Sequence, residues 1–304
     1  MTKNQSGFQV HFPETVHTIK KERVASGCIC CGRENLKSSP AVLMPFISSR
    51  IFGWEPVVID ASWGLKTISN GNAYSLGKTL QWIECGFVSL DIRFSEAELV
   101  RLYRDYRGNE YTTLRDHYEP GYRERNKLLQ AGTTYNDAIE GFLSPYLSFP
   151  VCILDWGGDT GKNTPFKDQS QHIDIYDIGG SAVVSCAQQV SKDKAYSTRY
   201  DLIVCSNVLE HVPYPADVII DIKKAMNESS ILYLEVPFED VMKNQELNLP
   251  MCKKHWHEHI NFFSKRSLLV LLDQCGLTVV DLRILEIISE GKFSSQFQLA
   301  CRLD

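Results

Sequence analysis

A glycine-rich turn flanked by acidic residues is the segment of the chain best suited to chemistry. Residues 151–161 read VCILDWGGDTG, an apolar run that ends at a carboxylate and passes directly into the turn. Glycines in such a turn tolerate positive φ and leave room for a ligand beside the backbone. The candidate ligand-contacting residues here are Asp155, Gly157, Gly158, Asp159 and Gly161.

A second carboxylate follows the next predicted strand. Asp177 comes 22 residues after Asp155 and can accept hydrogen bonds from the two ribose hydroxyls of a nucleoside. A tight turn with no ligand is the alternative interpretation, and Asp177 disfavours it. The turn and Asp177 together predict a nucleoside site at the carboxyl edge of a sheet.

The spacing of the turn discriminates between nucleosides. A dinucleotide fingerprint, G-x-G-x-x-G, would need glycine at positions occupied by Asp159 and Lys162. A negative Asp159 would also repel a pyrophosphate, which disfavours an NAD-dependent oxidoreductase. The same charge suits the amino and sulfonium groups of S-adenosylmethionine.

The pattern of apolar residues, from which the positioning elements are predicted, changes at residue 151. From there to residue 304, short apolar runs alternate with helical stretches, which predicts an α/β fold with a largely parallel sheet. The predicted helices are 215–227 and 265–275, the second with Ser264 as N-cap. The predicted strands are 151–155, 172–176, 201–205, 230–236, 279–286 and 297–301.

The first part of the chain is loop-rich and contains a cysteine cluster. A helix at 95–106 is predicted from the capping-box pair Ser95 and Glu98, and a further helix at 134–147 from its apolar spacing. We therefore divide the chain into an N-terminal domain, a helical linker and a catalytic domain. The predicted boundaries are 1–110, 111–149 and 150–304.

Composition excludes several classes of function. The net charge is −5 and the pI about 5.9, so no global positive field attracts nucleic acid or an anionic membrane. No window contains the roughly 18 apolar residues of a spanning helix, and the first ten residues lack the apolar core of a signal peptide. We expect a cytoplasmic protein that binds neither nucleic acid nor membrane.

The turn resembles that of class I S-adenosylmethionine-dependent methyltransferases, in which an acidic residue ends strand one before G-x-G-x-G. Here Asp159 replaces the middle glycine. Residues 200–212, YDLIVCSNVLEHV, resemble a second family segment. The resemblance implies a Rossmann-like, seven-stranded sheet whose last strand is antiparallel. It also implies that cofactor-binding residues near the methionine moiety are Ser206, Asn207 and Leu209.

Two histidine-containing segments supply candidates for acid–base chemistry. One ends the stretch above, and the other is WHEHINFFS at 256–264. The candidate catalytic residues are His211, His257, Glu258 and His259. The spacing of His257 and His259 is not that of the H-E-x-x-H metal pair, which disfavours a catalytic metal, and capping of the following helix is the alternative role.

The second segment resembles the Y-H-E-H…F-S stretch of sugar methyltransferases, especially those that methylate carbon in nucleotide-linked deoxy sugars. Glu258 and His259 match the Glu and His of that stretch, but Trp256 stands at the Tyr position and its indole cannot exchange a proton. The resemblance therefore favours O-methyl over C-methyl transfer.

Three cysteines resemble the N-terminal zinc-binding module of the same methyltransferases. Cys28 and Cys31 form one C-x-x-C pair, whereas the second pair retains only Cys85 and has Trp82 at its first position. A structural zinc site needs four ligands. The resemblance implies a degenerate, zinc-ribbon-like domain. It either binds zinc, with a remote His or the awkwardly placed Cys30 as fourth ligand, or keeps its fold without the metal.

Together these features predict a methyltransferase that acts on a sugar or nucleotide-sugar in polysaccharide or glycan biosynthesis. The aromatic, arginine-rich segment 103–125 is suited to binding a phosphorylated sugar, although a solvated helix face is the alternative. Two other functions remain open. They are a non-catalytic S-adenosylmethionine-binding module and a methyltransferase acting on another small molecule.

Overall fold

The computed structural model describes residues 21–54, 57–64, 71–73, 75–130, 132, 134–244, 248–289 and 292–304. The first ten residues, on which the expectation of a missing signal peptide rests, lie outside the described residues.

Residues 36–143 form strands and short helices in alternation. The elements are β1 (Leu36–Leu43), α1 (Pro45–Phe52), β2 (Val57–Ile59), β3 (Gly71–Ala73), β4 (Ser75–Trp82), β5 (Val88–Leu90), α2 (Glu96–Tyr103), α3 (Asn109–Tyr118), α4 (Tyr122–Gln130) and α5 (Asn136–Leu143). The predicted capping box of α2 is present, with Ser95 and Glu98 bonded reciprocally. Apart from the first two residues of α3, helices α3 and α4 lie within the predicted helical linker, 111–149.

Residues 151–303 alternate strands and helices as predicted. The elements are β6 (Val151–Trp156), β7 (Ser170–Tyr176), β8 (Gln188–Gln189), α6 (Lys192–Ser197), β9 (Leu202–Ser206), α7 (Pro215–Lys223), β10 (Ile231–Pro237), α8 (Asp240–Lys243), α9 (Leu249–Cys252), β11 (His255–Trp256), β12 (Asn261–Phe262), α10 (Lys265–Gln274), β13 (Leu277–Ser289) and β14 (Lys292–Leu303). All six predicted strands and both predicted helices are found. Among the described residues, six short elements were not predicted, namely β8, α6, α8, α9, β11 and β12; β8, for example, consists of two exposed glutamines without an apolar pattern.

The main sheet has seven strands in the order β13-β14-β10-β9-β6-β7-β8. The strands β6 to β10 are parallel, and β14 runs antiparallel to both of its neighbours, which confirms the predicted antiparallel last strand. Because parallel strands present their carboxyl ends at one edge, this topology brings the loops after β6, β7, β9 and β10 together. The predicted α/β class is confirmed.

A second sheet combines residues from both ends of the chain. Its order is β11-β1-β4-β5-β12, so two short strands from the predicted catalytic domain extend a sheet built by the N-terminal domain. The loop 253–263, with its candidate catalytic residues, is thereby held by the N-terminal sheet. The three-part division of the chain stays a prediction.

Candidate functional site

The glycine turn after β6 requires glycine at two positions. Gly157 has φ +82°, and a Cβ there would lie 2.5 Å from Val208 Cγ2. Gly161 has φ +74°, and a Cβ there would lie 2.9 Å from Ile175 Cδ1. Asp159 also adopts a positive φ, of 50°, a region that Asp enters more readily than most residues. The absence of a side chain at these two positions lets the backbone of the turn pack directly against its neighbours at the edge of the sheet.

The two predicted acidic residues have different surroundings. Asp155 is buried and accepts a hydrogen bond from Thr164 Oγ1 at 2.6 Å, and burial raises its pKa to about 6. Asp177 accepts backbone N–H bonds from Asp159 at 3.0 Å and from Gly179 at 2.6 Å. Burial raises the pKa of Asp177 although these two bonds oppose it. A carboxylate has about four acceptor positions, so Asp177 can still accept bonds from ribose hydroxyls.

Two cavities meet at this edge of the sheet. The larger has a volume of about 680 Å³ and the smaller, which contains Asp177 and Trp156 in its wall, about 440 Å³. Five residues line both cavities and mark the junction between them. They are Tyr106, Gly157, Asp159, Asn207 and His211.

A buried glutamate that the sequence analysis missed orders the loop after β9. Glu235 on β10 is fully buried and lines the larger cavity. Its carboxylate accepts hydrogen bonds from Tyr135, Ser206, Asn207, Tyr233 and Gln298. The signal was an acidic residue within the apolar run ILYLEVP at 231–237.

The residues predicted after β9 are thus only partly at the cavities. Ser206 and Asn207 line the larger cavity, and Asn207 also lines the smaller. Leu209 lies fully buried in the hydrophobic core and lines neither cavity, because its side chain faces inward while the loop turns outward.

Two of the candidate catalytic histidines meet beside Glu210. The rings of His211 and His259 are 4.7 Å apart at their centroids, and His211 Nε2 lies 3.8 Å from Glu210 Oε1. We call Glu210, His211 and His259 the junction group. Burial raises the pKa of Glu210 to about 7 and lowers that of His211 well below its usual value. Burial opposes charge on His259 too, but its hydrogen bond to Glu239 and nearby Glu210 outweigh burial and raise its pKa.

The other two candidates are held by different partners. Glu258 accepts hydrogen bonds from Arg115 Nη1 and, at 2.6 Å, from Tyr111 Oη, which fixes its carboxylate in the cavity wall. His257 lies farther out, with Nδ1 at 3.4 Å from Glu119 Oε1. Trp256 is fully buried, donates to Thr79 Oγ1 at 2.7 Å and lines neither cavity.

Arginines and tyrosines from α3, α4 and the turn before α3 line the larger cavity opposite this loop. We call this surface the arginine wall; it consists of Tyr106, Arg107, Arg115, Tyr122 and Arg125. The Arg115 guanidinium lies 4.2 Å from the Tyr122 ring centroid, and that of Arg125 lies 5.0 Å from it on the more exposed side. Arg107 stacks on Tyr106 at 4.9 Å. Stacked guanidinium groups of this kind are suited to binding phosphate.

The three predicted zinc ligands also come together. Cys28 Sγ and Cys85 Sγ are 3.5 Å apart, and one sulfur of each of Cys28, Cys31 and Cys85 lies within 4.8 Å of the others. Hydrogen bonds from the neighbouring thiols lower the pKa of Cys31 to about 3. Trp82, which stands in the sequence where the second pair lacks its first cysteine, is fully buried, and its indole N–H cannot ligate a metal. The residues therefore fit three of the four ligand positions of structural zinc.

Comparison with known proteins decides the family. A model described as "Methyltransferase domain" matches residues 123–282, just over half of the chain. The chain belongs to this methyltransferase family. Its strand order and glycine turn are those of the class I members, whose cofactor is S-adenosylmethionine, so the predicted family, fold and cofactor are confirmed.

Individual relatives of the methyltransferase are distant. A ubiquinone biosynthesis O-methyltransferase from Pasteurella multocida is 24% identical over 117 residues, which cover 36% of this chain and 48% of that protein. The chain thus spans about half the length of this curated relative. A 1,6-didemethyltoxoflavin-N1-methyltransferase from Burkholderia thailandensis, solved with S-adenosylhomocysteine, has 14% identity and a TM-score of 0.49, covering 74% of this chain and 99% of that one. A methyltransferase from Anabaena variabilis has 11% identity and a TM-score of 0.41, covering 57% and 86%.

The residues of this chain fit the cofactor. Carboxylates of Asp155, Asp159, Asp177 and Glu235 lie at the two cavities, and none is within 4 Å of a Lys, Arg or His nitrogen in the described part of the chain. These negative charges complement a cofactor with ammonium and sulfonium groups. Within the same described residues, no helix has both the length and the hydropathy needed to cross a bilayer.

Proposed function

We propose that this methyltransferase transfers a methyl group to a hydroxyl oxygen of an anionic small molecule, a phosphorylated sugar or nucleotide-sugar, in polysaccharide or glycan biosynthesis. The observation that carries the proposal is the arginine wall, because it faces the same cavity as the glycine turn. A neutral acceptor would leave these guanidinium groups without a role in binding.

The arginines differ in how far they are already engaged. Arg115 forms ion pairs with Glu119 and Glu258, so its charge is balanced within the wall. Arg125 lies 3.6 Å from Glu119 and more than half of its side chain is exposed. Lys253, on the opposite side, rests on the rings of Trp256 and Phe262. We assign the binding of the acceptor's anionic group to Arg107, Arg125 and Lys253. Arg115 instead holds the neighbouring side chains of the wall in place.

The cofactor, when bound, supplies an electrophilic methyl group on a positively charged sulfur. Asp177 would hold the ribose hydroxyls, and Gly157 and Asp159, which line both cavities, would hold the cofactor through the turn. The junction group, which lies where the two cavities meet, receives the hydroxyl proton of the acceptor. Burial raises the pKa of Glu210 to about 7, which suits a group that accepts a proton near neutral pH.

In this proposal Glu258 and His257 orient the acceptor and do not accept its proton. Glu258 is held by Arg115 and Tyr111, which leaves its carboxylate fixed rather than available for proton transfer. His257, beside Glu119, lies at the outer part of the cavity where a hydroxyl of the sugar can reach it. The buried Trp256 supplies no phenol to the cavity, which supports transfer to oxygen rather than carbon.

Labelled S-adenosylmethionine and three groups of acceptors test the proposal: nucleotide-sugars, sugar phosphates and the corresponding neutral sugars. We expect label only in the anionic acceptors, with nuclear magnetic resonance of the product showing an O-methyl group. Equal transfer to neutral sugars, or transfer only to protein or RNA, contradicts the proposal.

Two arginines on α4 provide a matched pair for the same assay. Arg125 lines the cavity, whereas Arg123 bonds to Thr113 on the exposed side and does not. We expect Arg125→Met to raise KM for the anionic acceptor roughly tenfold, the equivalent of one charge-assisted hydrogen bond, with kcat little changed. Arg123→Met should behave as the unaltered protein, and equal effects of both changes would contradict the assignment.

A further inference from the structure

We propose that the junction group binds a divalent cation through the carboxylate of Glu210 and the Nε2 atoms of His211 and His259. One ligand atom from each of these three residues lies within 4.8 Å of the other two. The residues come from two distant loops, after β9 and before β12, so only the fold brings them together.

The first argument is the state of Glu210. Its side chain is 1% exposed, and neither carboxylate oxygen has a hydrogen-bond partner in the described residues. The backbone is firmly placed, because the Glu210 carbonyl accepts bonds from the N–H groups of Ile260 at 2.8 Å and Asn261 at 3.1 Å. Buried carboxylates are normally paired, hydrogen-bonded or bound to a metal. A cation would satisfy the oxygens that the protein does not.

The second argument is the orientation of the two imidazoles. His211 Nδ1 faces Tyr103 Oη at 2.8 Å and the carbonyl oxygen of Glu258 at 3.3 Å, and His259 Nδ1 faces Glu239 Oε1 at 2.8 Å. A carbonyl and a carboxylate accept hydrogen bonds, so we assign the ring proton to Nδ1 in both residues. The lone pair is then on Nε2. Metal-bound histidines show this arrangement, with the second nitrogen donating to a carboxylate or a carbonyl.

The third argument is the distance between ligand atoms. With metal–ligand bonds of about 2.1 Å, neighbouring ligands are about 3.0 to 3.4 Å apart. His211 Nε2 and Glu210 Oε1 are 3.8 Å apart, about half an ångström more than this, and the ligand atom of His259 lies within 4.8 Å of the other two, so the three atoms must draw together on the ion. A lone pair and a carboxylate facing one another at this distance repel unless a cation or a proton lies between them.

One oxygen and two nitrogens define the class of ion. This set suits first-row transition cations such as Mn²⁺, Fe²⁺, Co²⁺ and Zn²⁺. Three protein ligands leave coordination positions open, and His211 lies in the wall of both cavities. His257, which was predicted beside His259, does not take part because it pairs with Glu119.

The role of the ion rests on the proposed function, whereas its binding does not. With the cation bound, the three side chains would no longer be free to take the proton of the acceptor; the cation would instead bind the hydroxyl oxygen and lower its pKa, and the proton would pass to solvent water in the cavity. Methyl transfer should then depend on the ion, while binding of the cofactor product should not.

The test uses the full-length protein, freed of metal with a chelator and titrated with Mn²⁺. Electron paramagnetic resonance reports the free Mn²⁺, and the thiolates of the cysteine cluster compete poorly for this ion. We expect one Mn²⁺ per chain, and affinity at least tenfold lower in Glu210→Gln and His259→Ala. The control is His255→Ala, an exposed histidine on β11 outside both cavities, which should bind as the unaltered protein does.

Calorimetry with S-adenosylhomocysteine on the same samples checks that each variant is folded and separates the two proposals. No Mn²⁺ binding, or equal binding by Glu210→Gln, overturns the ion site while leaving the methyltransferase function intact. Mn²⁺ binding without effect on methyl transfer overturns the role of the ion. Absence of methyl transfer to every anionic acceptor, with Mn²⁺ bound, overturns the proposed function alone.

Discussion

Two walls face each other across the larger cavity, and they handle charge in opposite ways. The sheet-edge wall, formed by the ends of β6, β9 and β10, carries Asp155, Asp159 and Glu235 without a cationic partner within 4 Å in the described residues. In the arginine wall, Arg115 neutralises both Glu119 and Glu258. The first wall is complementary to a cation that arrives with the cofactor. In the second wall the most buried arginine, Arg115, is paired with carboxylates of the protein, and we propose that its outer arginines bind the anionic acceptor.

The largest expected effect comes from breaking the paired charges of the arginine wall. The side chains of Arg115 and Glu258 are 7% and 10% exposed, so Arg115→Met leaves a carboxylate buried without its partner. We expect a loss of about 3 to 5 kcal/mol in the free energy of unfolding, measured by urea denaturation.

The double variant Arg115→Met with Glu258→Gln is the control for this effect. It should recover more than about 1 kcal/mol, because the buried charge is gone. A loss that is no smaller in the double variant would show that Arg115 stabilises the wall by stacking on Tyr122 alone.

The second effect tests a lone charge on the sheet-edge wall. Burial raises the pKa of Asp155 from 3.8 to about 6, so the folded state favours the protonated carboxyl. At pH 3 the group is mostly protonated in both states; as pH rises the unfolded state ionises first, near pH 4, and the folded state only near pH 6. Stability should therefore fall by about 3 kcal/mol as pH rises from 3 to 7.

Asp155→Asn removes this group and should abolish that fall. The measurement is chemical denaturation of both proteins at several pH values without cofactor. The two curves should converge near pH 3 and separate progressively between pH 4 and 7, with the variant more stable. Parallel curves would mean that the carboxylate is compensated by a partner after all.

A smaller effect is expected on the ratio of affinities for the cofactor, which has a positive sulfonium, and for its demethylated product, which does not. Glu235→Gln keeps the shape of the side chain but removes its charge. We expect affinity for S-adenosylmethionine to fall roughly fivefold more than affinity for S-adenosylhomocysteine, about 1 kcal/mol, because only the former has a sulfonium. Calorimetry with both compounds measures the ratio, and an equal fall for the two would assign Glu235 to loop ordering only.

The smallest effect is expected at the cysteine cluster, which lies outside both cavities. We propose that Cys28, Cys31 and Cys85 do not require zinc to keep their arrangement, since all three are buried and belong, with Trp82, to one hydrophobic core cluster. Treatment with a chelator should leave the melting temperature and the affinity for S-adenosylhomocysteine almost unchanged. A large drop in melting temperature, with zinc found in the untreated protein, would contradict this.

The sheet-edge wall could be predicted from sequence because it is built locally. An apolar run, a glycine turn and Asp177 are close in the chain, and glycine spacing reports backbone geometry directly. The strands and the antiparallel β14 followed from apolar periodicity and from the family resemblance. Leu209 was placed at the cavity wrongly, because a strand pattern does not show where the following loop reverses its direction.

The opposite wall and the junction group could be predicted only in part. His211 and His259 were singled out separately, but nothing in the sequence places them 4.7 Å apart or adds Glu210 between their loops. That contact depends on β12, which joins the N-terminal sheet through pairing with β5. Pairing between residues about 170 positions apart depends on tertiary structure, which propensity and periodicity do not encode.

The most direct test of the account is a calorimetric titration with S-adenosylhomocysteine. We expect one binding site per chain, and in Asp177→Ala an affinity at least about 30-fold lower, roughly 2 kcal/mol, because the ribose hydroxyls lose a charged acceptor. Asp193→Ala, which removes an exposed carboxylate on α6, should bind normally. No heat with the unaltered protein, or equal binding by Asp177→Ala, would contradict the central claim.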